Sequence, residues 1–220
     1  MYSYQGVGLP CLSIDVNGLL RHFICLSEDI ICYAKFILII EKDATFQTIM
    51  LSGFYADFQP CLLITSKGYP DLATRSFLCT LYQKHPNLPM FALVDADPHG
   101  FGIYLTYKYG SHSPALKSAS GTVLGIPSLK LLGLLPSDIP MYTSDFIAFT
   151  YYRLQVKNHD LLQITSSDKL MLQSIKERRY YKEEKILQSE VSSIPDDQTV
   201  VRSSAWKVRE GKQKFSASIN

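Results

Sequence analysis

The chain has no Cys-x-x-Cys pair, and its five cysteines (Cys11, Cys25, Cys32, Cys61 and Cys79) are odd in number and scattered. Neither a zinc site nor a disulfide framework is signalled, which suits a reducing compartment. Nucleotide-phosphate chemistry of the P-loop kind is excluded, because no G-x-x-x-x-G-K-[ST] run occurs. A serine hydrolase of the nucleophile-elbow kind is excluded in the same way. No apolar run reaches the ~18 residues of a membrane helix. Asp15, Arg21, Glu28 and Asp29 interrupt the first apolar region, and the N-terminus lacks the basic start of a signal peptide. A soluble intracellular protein with no membrane contact is expected. Charge of either sign is not in excess: the formal net charge is +2, too small to announce a nucleic-acid binder. Any DNA contact would have to come from a local patch.

What is present suffices for a core, with 46% hydrophobic and 19% charged residues over 220 positions. The most informative stretch is Met90-Phe91-Ala92-Leu93-Val94-Asp95-Ala96-Asp97-Pro98-His99-Gly100. Five apolar residues run into two carboxylates one residue apart, and Pro and Gly then stop the strand. Phe36–Ile40 does the same and ends at Glu41. Both runs are continuous, as strands buried on two faces should be. Between them, Cys61–Thr65 reads as a strand and Asp71–His85 as a helix, after the turn Ser66-Lys67-Gly68-Tyr69-Pro70. Asp43 is a plausible cap for a helix over Ala44–Met50. A helix after Gly100 carries Ile103, Leu105 and Tyr107 and stops at Gly110. Ile126–Leu135 reads as a fourth strand. This strand–helix alternation predicts an open α/β sheet, whose functional crevice lies at the carboxyl ends of its strands.

Residues 1–34 are a poorly assigned N-terminal remnant, 35–139 form the main domain, and 140–163 an insertion. Residues 164–188 carry a helix, with Leu170, Leu172 and Ile175 as its apolar face. Residues 189–220 are polar and read as a disordered tail.

Three carboxylates brought together repel one another unless a cation is present. Glu41, Asp95 and Asp97 at strand ends therefore predict a magnesium site, because Mg²⁺ takes oxygen ligands and favours phosphate substrates. A phosphatase of the D-x-D-x-[TV] type is disfavoured, since its acids follow the first strand and position 99 here is His. A plainer reading stands beside the metal: Asp97-Pro98 also fits a helix cap with proline at the first helical position. His99 could contact a phosphate or only cap the turn. Lys67 and Arg75, flanking the end of the second strand, could meet DNA backbone or be solvated.

Five blocks in order carry a resemblance: Phe36–Phe46, Lys67–Arg75, Leu93–Gly100, Tyr107–Ser111 and Leu132–Asp138. They resemble the Toprim half of the meiotic double-strand-break proteins, the Spo-eleven family, related to the A subunit of topoisomerase VI. The resemblance implies a Toprim (Rossmann-like) fold, an open, mainly parallel four-stranded sheet flanked by helices, with a divergent C-terminal tail. It implies that Glu41, Asp95 and Asp97 hold Mg²⁺ at a scissile phosphodiester. It further implies a type II topoisomerase-like DNA transesterase that initiates meiotic recombination in the nucleus. Its partners would be double-stranded DNA, a second copy or full-length relative, and a topoisomerase VI B-like subunit. The family's nucleophilic tyrosine lies in a winged-helix domain before the Toprim domain. Tyr2 and Tyr4 lack its context, and Arg179-Tyr180-Tyr181 falls after the Toprim block. The expectation is a metal-binding portion, from a truncated or spliced form or an imperfect gene model, that does not cleave alone. The alternative is a non-catalytic fragment that binds DNA or a partner.

Overall fold

A computed structural model describes residues 32–51, 57–111, 123–132, 161–182, 185–192, 194 and 199–201. The expectations for residues 1–31, for the insertion up to 160 and for the stretch around Trp206 lie outside them. The elements are β1 (Ile37–Ile40), α1 (Asp43–Leu51), β2 (Leu62–Thr65), α2 (Leu72–Lys84), β3 (Met90–Leu93), α3 (Pro98–Tyr109) and β4 (Lys130–Leu132). Then follow β5 (Leu161–Gln163), α4 (Ser166–Glu177), a 3₁₀ turn (Arg179–Lys182), α5 (Lys185–Ser192) and β6 (Thr199–Val201).

The first four strands form one all-parallel sheet in the order β2-β1-β3-β4. The strands with unbroken apolar runs are its two central ones. From Phe36 to Ile40 no residue of the first run is more than 1% exposed. Fully burying one such side chain contributes about 1.5–3 kcal/mol, so β1 is a main source of stability. β2 and β4 are the edge strands and are only partly buried. β1 and β2 pair in register, Ile37 with Leu62 through Ile40 with Thr65.

Two compact units divide the chain. One comprises Met1–Phe91 and Leu105–Lys130, the other Ala92–Tyr104 and Leu131–Asn220. In the first, the Phe36 and Phe91 rings meet edge to face at 6.3 Å. Asp71 caps α2, its side chain accepting from the Thr74 amide at 2.7 Å. Gly110, at φ +86°, closes α3 in the left-handed conformation that a helix C-terminus favours and a Cβ would disfavour.

In the second unit, α4 starts with a capping box between Thr165 and Asp168. The Thr165 amide donates to Asp168 Oδ2 at 2.7 Å, and the Asp168 amide donates to Thr165 Oγ1 at 3.2 Å. A helix start gives such amides no intrahelical acceptor, and the box supplies one to each. Thr165→Ala is expected to lower stability by about 1 kcal/mol, read as a shift of the urea midpoint at unchanged slope.

Several expectations need correction. The last strand of the sheet covers Lys130–Leu132, within the longer run Ile126–Leu135. Its start is delayed by a turn in which the Leu129 amide bonds the Ile126 carbonyl. Leu170 is 68% exposed, because the buried stripe of α4 is Asp168, Leu172 and Ile175. Beyond residue 189, β6 pairs antiparallel with β5, Thr199 opposite Gln163. Among the described residues no helix is long and apolar enough to cross a membrane.

Candidate metal and DNA site

β3 ends at Leu93, and the chain continues through Val94 to Asp95, Ala96 and Asp97. Both acids are buried, Asp95 at 9% and Asp97 at 4% exposure. Burial of a carboxylate is costly unless hydrogen bonds or a cation compensate it. Asp97 meets part of that cost as the cap of α3. Its Oδ1 accepts from the Gly100 amide at 2.7 Å, and its carbonyl accepts from Phe101 at 3.1 Å. Pro98 takes the first helical position, where a missing N–H is harmless. Capping also explains why α3 starts at Pro98, ahead of the glycine expected to precede it. A cap uses one carboxylate oxygen, so capping and metal binding are compatible roles for Asp97.

Gly100 packs against the Asp95 backbone. A Cβ there would overlap the Asp95 carbonyl oxygen and lie 3.1 Å from the Asp95 carbonyl carbon and amide nitrogen. The first turn of α3 is thus pressed against the residue that bears the first acid.

His99 has its partner outside this turn. Its Nε2 lies 3.6 Å from Asp168 Oδ1, an ion pair when the imidazole is protonated. The Asp168 side chain is fully buried, while that of His99 is 40% exposed. Asp168 was not among the expected site residues, although Thr165-x-x-Asp168 is a legible capping-box signal. Its second oxygen reaches a histidine on a distant helix, which no local pattern announces.

Glu41 follows β1 in the other unit and is half-buried. Its carbonyl accepts from the Gly68 amide at 2.9 Å. Lys67, expected near DNA, is exposed, and its Nζ lies 3.5 Å from Asp43 Oδ2. Arg75 departs from expectation: it is 2% exposed, on the same stripe of α2 as buried Leu78 and Cys79. Burial lowers its pKa, against the raising influence of Cys79, Asp71 and Tyr107.

Among the described residues, no three His, Cys, Asp or Glu side chains form a metal-holding group. The donor set brought into one turn is the pair Asp95 and Asp97. Such a pair fits Mg²⁺, which is commonly held by one or two carboxylates and keeps several waters. It suits zinc less well, because zinc sites are built mainly from Cys sulfur and His nitrogen.

Comparison with known proteins agrees with the fold. A family model for the Toprim domain shared by Spo11 and the A subunit of topoisomerase 6 matches residues 36–205. The chain is similar to the meiotic recombination protein SPO11 of Mus musculus, 38% identical over 169 residues, covering 77% of this chain and 39% of the relative. Against SPO11 of Homo sapiens it is 41% identical over 153 residues, covering 70% and 35%. Against spo-11 of Caenorhabditis elegans it is 48% identical over 120 residues, covering 54% and 27%. The chain thus spans at most 39% of the length of these curated relatives.

Proposed function

The chain belongs, through its Toprim domain, to the family of Spo11 and the topoisomerase 6 A subunit, and from that premise we propose that it is the magnesium-binding part of a meiotic DNA-breaking transesterase. Asp95 and Asp97 hold the ion, and the resemblance carried by Phe36–Phe46 adds Glu41 as a further carboxylate. The substrate is double-stranded DNA, and the place of action is the meiotic nucleus. A second copy or longer relative, with a topoisomerase VI B-like subunit, completes the machinery.

The observation that carries this reading is the burial of two carboxylates within one strand-to-helix turn of a family-matched domain. When bound, Mg²⁺ supplies positive charge that orients a phosphodiester and offsets charge developing on its oxygens. The protein's own groups do the remaining work. Asp97 fixes the start of α3 through the Gly100 amide, which holds its carboxylate in one orientation. The Asp168 carboxylate keeps the His99 imidazole at the rim of the same turn, available to a phosphate oxygen on its exposed side. Lys67, on an exposed turn, offers a cation to the DNA backbone.

The test is magnesium titration by calorimetry. The wild-type chain is expected to bind Mg²⁺, and Asp95→Asn with Asp97→Asn to lose the heat of binding. Retained binding in the double variant, with both proteins folded, would exclude the site. DNA affinity should fall steeply with added salt, as binding through phosphates requires.

A further inference from the structure

The turn between β2 and α2 is held in an unusual shape. Lys67 has φ +59° and Gly68 φ +125°, two left-handed residues in succession. For lysine this is a rarely adopted conformation, which its surroundings must impose. Three hydrogen bonds do so. The Lys67 amide donates to Thr65 Oγ1 at 3.2 Å. Ser66 Oγ donates to the Gly68 carbonyl at 2.9 Å. Ser66 Oγ also lies 2.9 Å from the Tyr107 hydroxyl. The serine hydroxyl has one proton, already directed at Gly68, so Tyr107 is the donor in the second pair.

The far side of this turn faces Glu41. The Gly68 amide donates to the Glu41 carbonyl at 2.9 Å, and Lys67 reaches Asp43 across the same gap. An unbroken path of hydrogen bonds therefore runs from the Tyr107 hydroxyl through Ser66 and Gly68 to the backbone of Glu41. We propose that Tyr107 and Ser66 are positioning residues for Glu41: their paired hydroxyls set the turn whose amide fixes the backbone that carries this carboxylate. The proposal rests on the magnesium reading above. Tyr107 is suited to the task because it is 2% exposed. Burial, the largest influence, pushes its pKa up to about 12, so the hydroxyl remains a donor at every physiological pH. Metal sites commonly depend on such outer partners, whose loss weakens binding without removing a ligand.

The experiment compares the wild type with Tyr107→Phe, Ser66→Ala, Ser66→Thr and Glu41→Gln. It reads magnesium affinity by calorimetry and hydrogen exchange at the Gly68 amide. Tyr107→Phe and Ser66→Ala are each expected to weaken Mg²⁺ binding about tenfold and to speed Gly68 exchange, leaving exchange at Leu38 unchanged. The double variant should lose little more than either single one, because both break the same path. Ser66→Thr keeps the hydroxyl and should restore binding. Ser66→Ala carries the test alone if Tyr107→Phe disturbs the core. Wild-type binding that is lost in Glu41→Gln but kept in Tyr107→Phe and Ser66→Ala would overturn the positioning role and leave the metal reading intact. A wild-type chain that binds no Mg²⁺ would overturn both.

Discussion

Gly100→Ala is expected to destabilise the protein by about 3 kcal/mol, the upper end of what overpacking usually costs. Intrinsic preference points the other way. Gly100 lies inside α3, where alanine is favoured over glycine by about 1 kcal/mol. Steric overlap decides the sign. The added Cβ would meet the Asp95 carbonyl oxygen, with the Asp95 amide nitrogen and carbonyl carbon also within 3.1 Å. These are backbone atoms, so no side chain can swing aside to make room. Relief requires α3 to lift from the turn, which strains the Asp97 bond to the Gly100 amide as well. Function should suffer with stability, since the displaced atoms belong to one proposed metal ligand and abut another. Urea unfolding of the variant should show a lower midpoint at an unchanged slope. An alanine variant as stable as the wild type would mean that the close approach is not rigid.

The close approach was invisible in the sequence, and the reason separates what was legible from what was not. β1 and β3 were legible because strands covered on both faces need unbroken apolar runs, and Phe36–Ile40 and Met90–Val94 supply them. The acids were legible for the same reason: a buried run that ends in carboxylates marks the strand's carboxyl end. Helix ends were legible where one residue decides them, as at Asp71 and Gly110. Arg75 is buried by its position in spite of its charge. It lies three and four residues before Leu78 and Cys79, on the stripe that the helix buries. Leu170 is the converse, an apolar residue off the stripe of Asp168, Leu172 and Ile175. Pairings between distant segments left no local trace. The β5–β6 ladder joins two three-residue strands far apart in sequence. The contacts of Ser66 with Tyr107 and of His99 with Asp168 join side chains from separate elements. The acids could be read from the chain, whereas the contacts around them needed the fold.

The stability of the protein is expected to fall as pH rises from 9 to 12. Burial pushes the Cys61 and Cys79 thiols from an ordinary 9.0 up to about 11, and the Tyr107 hydroxyl from 10.0 up to about 12. The Arg75 guanidinium pulls the other way at Cys79 and Tyr107, but desolvation is the larger influence at both. The sign follows from proton counts. In the unfolded chain the thiols lose their protons near pH 9 and the phenol near pH 10, whereas the folded chain keeps them. Over that interval the unfolded state binds fewer protons, so stability falls as pH rises. Below pH 9 these groups are protonated in both states and contribute no slope. A shift of two units corresponds to about 3 kcal/mol per group. The three shifts act in the same direction, so their sum lowers stability as pH rises. Partial hydration of the thiols during titration will reduce the sum without changing its direction. Urea midpoints measured in reductant from pH 8 to pH 11.5 should stay level and then drop through this window. Cys61→Ala and Cys79→Ala lower the starting stability by leaving cavities, yet each should flatten the decline between pH 9 and 11. A wild-type midpoint that holds level through pH 11 would show that these thiols reach water in the folded protein.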